Sequence, residues 1–244
     1  MKISNNIKDV NLNLSRKTLD KTKPNFKVIK KVTDVDIENI RGLLIDIDDT
    51  LYSYKDSHPK ALIACYKEFS SLKISNLSFK SFEKIYTEKR TKVKSRLAPQ
   101  GACRSRLFAF QDLFEEIGID SAYSLALTFE DIYWKTLIDQ IEIKDEFLQF
   151  LLDCKKQNII ICAISDMQAN FQILKLRKLG LDSIIDFLVT SEEVGVEKPN
   201  RDIFIFALQK LNLDPSLIVM IGDNFSKDIE GALKIGIKAY LLNS

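Results

Sequence analysis

Hydrophobic and polar positions along the chain fall into two distinct spacings. Residues 42–47, 159–164, 187–190, 218–221 and 239–242 form short runs in which apolar side chains occupy consecutive positions. Crowding of this kind, without alternation, predicts strands covered on both faces, as in a parallel sheet. Between the later runs the spacing becomes helical. Residues 168–179 carry Phe171, Leu174 and Leu179 and stop at Gly180. Residues 201–211 carry Ile203, Phe204, Ala207, Leu208 and Leu211, and residues 226–235 end at Gly236. A glycine just past the last periodic residue is a helix stop, because it accepts the left-handed conformation that closes the last turn. Strand and helix therefore alternate, which predicts an α/β fold with a doubly wound, Rossmann-like parallel sheet.

The first two runs are too far apart for an ordinary crossover, which needs about a dozen residues. The intervening residues 54–144 show helix-like apolar spacing over 61–72, 81–96, 105–117 and 124–137, and include Trp134. Four helices can pack a small core of their own. An insert at this point sits over the carboxyl ends of the strands, where open α/β sheets bind ligands. Residues 1–40 are polar, rich in Asn, Lys and Asp, and read as an N-terminal extension with a short strand over 26–32. The expected organisation is thus an extension (1–40), an α/β core (41–53 and 145–244) and a helical cap (54–144).

Composition narrows the function classes. The 36 basic and 34 acidic residues leave a formal charge of +2, which gives no footprint for a nucleic acid polymer. No apolar stretch approaches the roughly 18 residues of a membrane span, and the N-terminus lacks the apolar region of a secretory signal. Cys65, Cys103, Cys154 and Cys162 form no Cys-x-x-Cys pair, which predicts a reduced, cytoplasmic protein. The single histidine, His58, leaves little material for a His-based zinc site or a Ser/His/Asp triad, and reads as a loop or helix-start residue.

The first apolar run ends in three carboxylates, Asp46, Asp48 and Asp49. Like charges this close repel and raise each other's pKa, and a cation would relieve them. Strand alternation would point Asp46 and Asp48 to one side and Asp49 to the other. An acidic solvated turn is an equal reading of these residues alone. The later runs change the balance. Ser165 and Asp166 follow the second, Lys198 the third, and Asp223 and Asp228 the fourth. Parallel strands bring these ends to one edge of the sheet. The set then holds carboxylates for a metal, a hydroxyl and an ammonium, which is what phosphoryl transfer requires.

Taken in order, Asp46-x-Asp48-x-Thr50, Ser165, Lys198 and Gly222-Asp223-x4-Asp228 resemble the four motifs of the haloacid dehalogenase-like superfamily, and the insert resembles its C1-type helical cap. The resemblance implies a Mg²⁺-dependent phosphatase. Asp46 would be the nucleophile that forms an aspartyl-phosphate. Asp48 would protonate the leaving oxygen and then activate water, with a raised pKa. Mg²⁺ would be held by Asp46, the main-chain carbonyl of Asp48 and Asp223. Ser165, Asp166 and Lys198 would bind the phosphoryl group, Thr50 would hold the loop, and Asp228 would orient Lys198 or metal-bound water. The presence of Asp48 favours a phosphatase over a dehalogenase, whose leaving halide needs no proton.

The segment 191–200 is similar to the nucleotidase-like branch, and Arg104 or Arg106 in the insert would reach the distal part of the substrate. The implied partner is a small phosphorylated metabolite, a nucleoside 5′-monophosphate first and a sugar phosphate second, acted on by a monomer or homodimer. A regulator that keeps the fold without turnover is the third possibility, and the intact Asp46, Asp48, Lys198 and Asp223 argue against it.

Overall fold

The computed structural model describes residues 25–243, so residues 1–24 of the expected extension lie outside it. Six strands, β1 (Phe26–Ile29), β2 (Gly42–Ile45), β3 (Ile160–Ser165), β4 (Phe187–Thr190), β5 (Ile218–Gly222) and β6 (Lys238–Leu242), pair in the order β1-β6-β5-β2-β3-β4. Every pairing is parallel. The expected α/β class is therefore observed. The strand suggested within the extension is real, and it forms the sheet edge beside β6.

The register explains the crowded apolar runs. Leu44 pairs with Cys162 on one side and Met220 on the other, and all three belong to one buried cluster. Their neighbours Leu43, Ile161 and Val219 belong to a second cluster on the opposite face. Alternate residues of one strand thus feed two cores, so no position can be polar.

The insert is four helices, α1 (Tyr54–Ser71), α2 (Phe79–Leu97), α3 (Arg106–Glu116) and α4 (Ala122–Gln140). Helix α1 begins seven residues before the expected start at 61 and runs through Pro59. Its N-cap is Ser53, whose side chain accepts from the Asp56 N–H at 3.3 Å. Pro59 is the sixth helical residue, so α1 forfeits one backbone hydrogen bond, the one a residue there would give the Lys55 carbonyl.

Phe69, Phe82, Phe110, Phe114 and Phe129 are fully buried between these helices. Phe114 and Phe129 meet edge to face at 4.8 Å, a favourable aromatic geometry. This interior is not separate from the rest, as the sequence suggests. It is continuous with one face of the sheet. The remaining helices are α5 (Asp145–Lys156), α6 (Ala169–Lys178), α7 (Ser191–Val194), α8 (Arg201–Leu211) and α9 (Glu230–Leu233). Trp134 of α4 stacks on Phe171 of α6 at 4.2 Å and 20°, joining the insert to the sheet layer. Among the described residues, no helix is long and apolar enough to cross a membrane.

Candidate active site

Strand β2 stops at Ile45, earlier than the apolar run does. The Asp46 N–H still reaches the Ile221 carbonyl at 3.0 Å, but the chain then leaves the sheet, and Asp49 takes a left-handed φ of 64°. Alternation therefore does not apply beyond Ile45. Asp49 does not point away. It lines the same cleft as Asp46 and Asp48, and its Oδ1 accepts from the Lys55 N–H at 3.1 Å. The cleft encloses about 160 Å³ at the carboxyl edge of the sheet, and Ser165, Asp166, Lys198, Asp223 and Asp228 also line it, with Arg104, Asn224 and Lys227.

Lys198 is the hub. Its Nζ lies 2.5 Å from Asp46 Oδ1, 2.7 Å from Asp228 Oδ1 and 3.0 Å from the Ile164 carbonyl. Burial alone would lower the pKa of this ammonium, but Asp228, Asp46 and Asp166 surround it and hold it protonated well above its ordinary value. Asp46 is shifted the other way from a normal carboxyl. Burial pushes it up, Lys198 opposes this, and repulsion from Asp228 and Asp48 adds to the rise. Asp223 is raised for similar reasons, by burial and then by Asp228 and Asp49.

One ammonium is thus shared among crowded carboxylates. Asp46, Asp223 and Asp228 bring oxygen atoms within 4.8 Å of one another. Hard oxygen donors with excess negative charge suit a divalent cation, which would favour the ionised form of Asp46. Beside the expected Asp46 and Asp223, the carboxylate set includes Asp228, which the resemblance assigns to orienting Lys198 or metal-bound water. Gly222 makes this possible, since a Cβ there would overlap the Asp228 carboxylate. Thr50, fully buried, donates to Asp46 Oδ2 at 3.3 Å and lies 3.5 Å from Asp223 Oδ1, tying the loop to both.

Asp48 turns toward α6. It accepts from Lys175 Nζ at 2.6 Å, from Gln172 Nε2 at 2.9 Å and from the Tyr52 hydroxyl. Burial pushes its pKa up, but Lys175 outweighs that, with help from Tyr52 and Gln172, and the carboxyl falls to about 2. The expected rise at Asp48 is therefore overturned, because the sequence does not reveal the ammonium behind it. Ser165 Oγ accepts from the same Gln172 Nε2 at 2.6 Å.

Asp166 also differs from expectation. Its carboxylate accepts from the Lys198 N–H at 2.7 Å and from Lys227 Nζ at 2.7 Å, and Arg104 stands 3.8 Å away. An anion so occupied organises cations at the cleft and does not itself bind a phosphate.

The two insert arginines separate cleanly. Arg104 lines the cleft and clasps Glu197 through two bonds of 2.5 and 2.8 Å, bridging insert and sheet layer. Arg106, expected to reach the substrate, is only 2% exposed. It donates to the Tyr54 hydroxyl at 2.9 Å and the Arg104 carbonyl at 3.0 Å, and sits 5.3 Å from both the Tyr133 and Trp134 rings. It is a strut inside the insert. His58 lies on α1 with Nδ1 2.6 Å from the Tyr133 hydroxyl. Burial, Arg106 and Arg90 lower its pKa to about 3, so it stays neutral.

Gln172, Lys175, Asn224 and Lys227 reach the site although their residue types carry no motif. A signal exists for the first two, since they fall in line with Leu176 and Leu179 on the inward stripe of α6.

A family model described as haloacid dehalogenase-like hydrolase matches residues 40–236. The chain is 28% identical over 202 residues to the ribulose-1,5-bisphosphate 5-phosphatase of Halopiger xanaduensis, covering 83% of this chain and 84% of that one. It is 39% identical over 95 residues to the pyrimidine 5′-nucleotidase YjjG of Escherichia coli, covering 38% and 42%. The crystal structure of a 2-haloacid dehalogenase from Pseudomonas syringae pv. Tomato superposes with a TM-score of 0.67 and 25% identity, covering 83% and 86%. The order of the strands, the helices inserted after the first aspartates and a match over most of the length agree, and the chain belongs to the haloacid dehalogenase-like hydrolases.

Proposed function

We propose that this protein is a Mg²⁺-dependent phosphatase that hydrolyses a small phosphorylated sugar through a phosphoryl group carried on Asp46. The observation that carries this reading is the Lys198 ammonium held between Asp46 and Asp228 on the floor of a polar cleft. It keeps one Asp46 oxygen oriented while presenting positive charge where a phosphoryl group arrives.

An Asp46 oxygen attacks phosphorus as the bond from phosphorus to the leaving alcohol oxygen breaks, and Asp48, ionised in the free cleft, takes up a proton from solvent as the anionic substrate binds and gives it to that oxygen. Asp48, now a carboxylate, takes a proton from water as the water oxygen attacks the same phosphorus and Asp46 departs. The sum is monoester and water in, alcohol and inorganic phosphate out. The Ser165 hydroxyl and Lys198 hold the phosphoryl oxygens. Asp46, Asp223 and Asp228, with the Asp48 carbonyl, would hold Mg²⁺, which supplies the charge that offsets repulsion between carboxylate and phosphate. Residues 41–53 and 145–244 do the chemistry in this reading, and the insert 54–144 selects the substrate. Four buried free cysteines suit a reducing, cytoplasmic setting.

A relative that matches over more than four fifths of the chain acts, by its name, on a phosphorylated sugar, and a match of 202 residues must include part of the insert. This supports a sugar phosphate over the nucleotide that the segment 191–200 suggests. The nucleotidase match favours a nucleoside 5′-monophosphate as the second reading, at higher identity over less than half the chain.

Phosphate release from a panel of sugar phosphates, phosphoglycolate and nucleoside monophosphates decides between them. Turnover is expected to be highest on a sugar phosphate, to need Mg²⁺ and to be abolished by Asp46→Asn. Undiminished Mg²⁺-dependent turnover by that variant would remove Asp46 as the nucleophile.

A further inference from the structure

We propose that Gln172 and Lys175 are positioning residues that aim Asp48 and Ser165 together, and that Trp134 of the insert holds this pair in place. The inference rests on the proposed phosphatase reading, in which Asp48 moves the proton in both halves of the reaction.

Helix α6 has an inward stripe of Gln172, Lys175, Leu176 and Leu179, of which the first two are 0% and 1% exposed. Removing an ammonium from water costs several kcal/mol, and well-packed apolar residues replace buried ion pairs without loss. A leucine would serve packing at 175 at least as well, so packing does not account for the lysine. What Lys175 does is grip Asp48 Oδ1 at 2.6 Å. Gln172 Nε2 spends its two hydrogens on two different site residues, Asp48 Oδ2 at 2.9 Å and Ser165 Oγ at 2.6 Å. Both oxygens of Asp48 are therefore fixed. Ser165 Oγ, already accepting, is left with its own hydrogen to donate into the cleft it lines.

The cage around Lys175 is shared. The ring of Tyr52 lies 5.6 Å from Nζ and the ring of Trp134 lies 5.3 Å from it. Trp134 comes from the insert and also stacks on Phe171, the residue before Gln172. Only with the insert seated is the Lys175 ammonium sealed from water and its hold on Asp48 undiluted by solvent. Seating of the insert and aiming of the proton carrier are then one event.

The test is steady-state and burst kinetics on the full-length enzyme with Mg²⁺, comparing Lys175→Met, Gln172→Leu, Lys175→Arg and Trp134→Phe. Lys175→Met and Gln172→Leu are expected to lower kcat on an alkyl phosphate by about 10- to 100-fold, part of the 10²–10⁴ that positioned proton transfer supplies, with KM unchanged. On p-nitrophenyl phosphate, whose leaving group needs no proton, only hydrolysis of the phosphorylated Asp46 slows. A burst of about one nitrophenolate per active site then appears. Lys175→Arg restores most of the rate. Trp134→Phe keeps the stack, loses part of the cation contact and gives a smaller loss of the same pattern, and it serves if Lys175→Met does not fold.

A rise in KM with kcat intact, or an equal loss on both substrates without a burst, overturns the assignment. If wild type shows no Asp46-dependent turnover of either substrate, the phosphatase reading itself fails. If wild type turns over and Lys175→Met matches it, only the positioning inference fails.

Discussion

Lys198 serves three groups at once, and its removal exposes what each carboxylate costs. In Lys198→Met, Asp46 and Asp228 remain buried with no ammonium within reach. Breaking a buried pair by removing one partner costs about 3–5 kcal/mol, and urea denaturation of the variant should show a loss of that order. Mg²⁺ should return part of it, because a cation among Asp46, Asp223 and Asp228 supplies the missing charge. A loss that Mg²⁺ leaves untouched would mean the three carboxylates do not hold the ion. Gly222 is the complementary case. Its smallness allows Asp228 to cross over the backbone after β5. Gly222→Ala forces that side chain away, with an expected cost of about 1–3 kcal/mol from overpacking. Phosphate release should fall with it, because Asp228 no longer meets Lys198.

Element boundaries follow the apolar spacing where burial is two-sided. Strand β4 and helix α8 occupy the expected residues, and the parallel sheet could be read from consecutive Val, Ile and Leu alone. The misreadings share one cause, which is that polarity reports on neighbours rather than on geometry. In α6 the sequence offers Leu174 as an inward residue, yet Leu174 is 43% exposed and Lys175 is buried. The inward stripe is polar because it faces Asp48 and Ser165, which no single-helix pattern contains. Substituting Leu174 with Gln should change stability by no more than about 0.5 kcal/mol, whereas Leu176→Ala should cost about 2–5 kcal/mol. Thermal melts of the two variants check the order, and a reversed order would place the stripe on the other face. Asp46, Ser165, Lys198, Asp223 and Asp228 were legible as a group because each follows a strand. Arg106 was not legible, because the aromatic cage around it comes from α1 and α4, distant in sequence.

Across the whole molecule, one buried cluster runs from the insert aromatics to a face of the sheet, and Arg104 clasps Glu197 over the same junction. An insert with its own core would melt independently. A shared core predicts one cooperative transition, with far-UV circular dichroism and tryptophan emission tracing the same denaturation curve. Two separated transitions would show that the insert folds as a unit. The seam also carries the chain's single tryptophan. Trp134 is 3% exposed, stacked on Phe171 and flanked by the charges of Arg106 and Lys175. Indole emission depends on nearby charge and water, so this protein carries an optical gauge of its own at the joint between its two layers. Opening of the joint is readable as a red shift in unlabelled enzyme, in real time and during turnover.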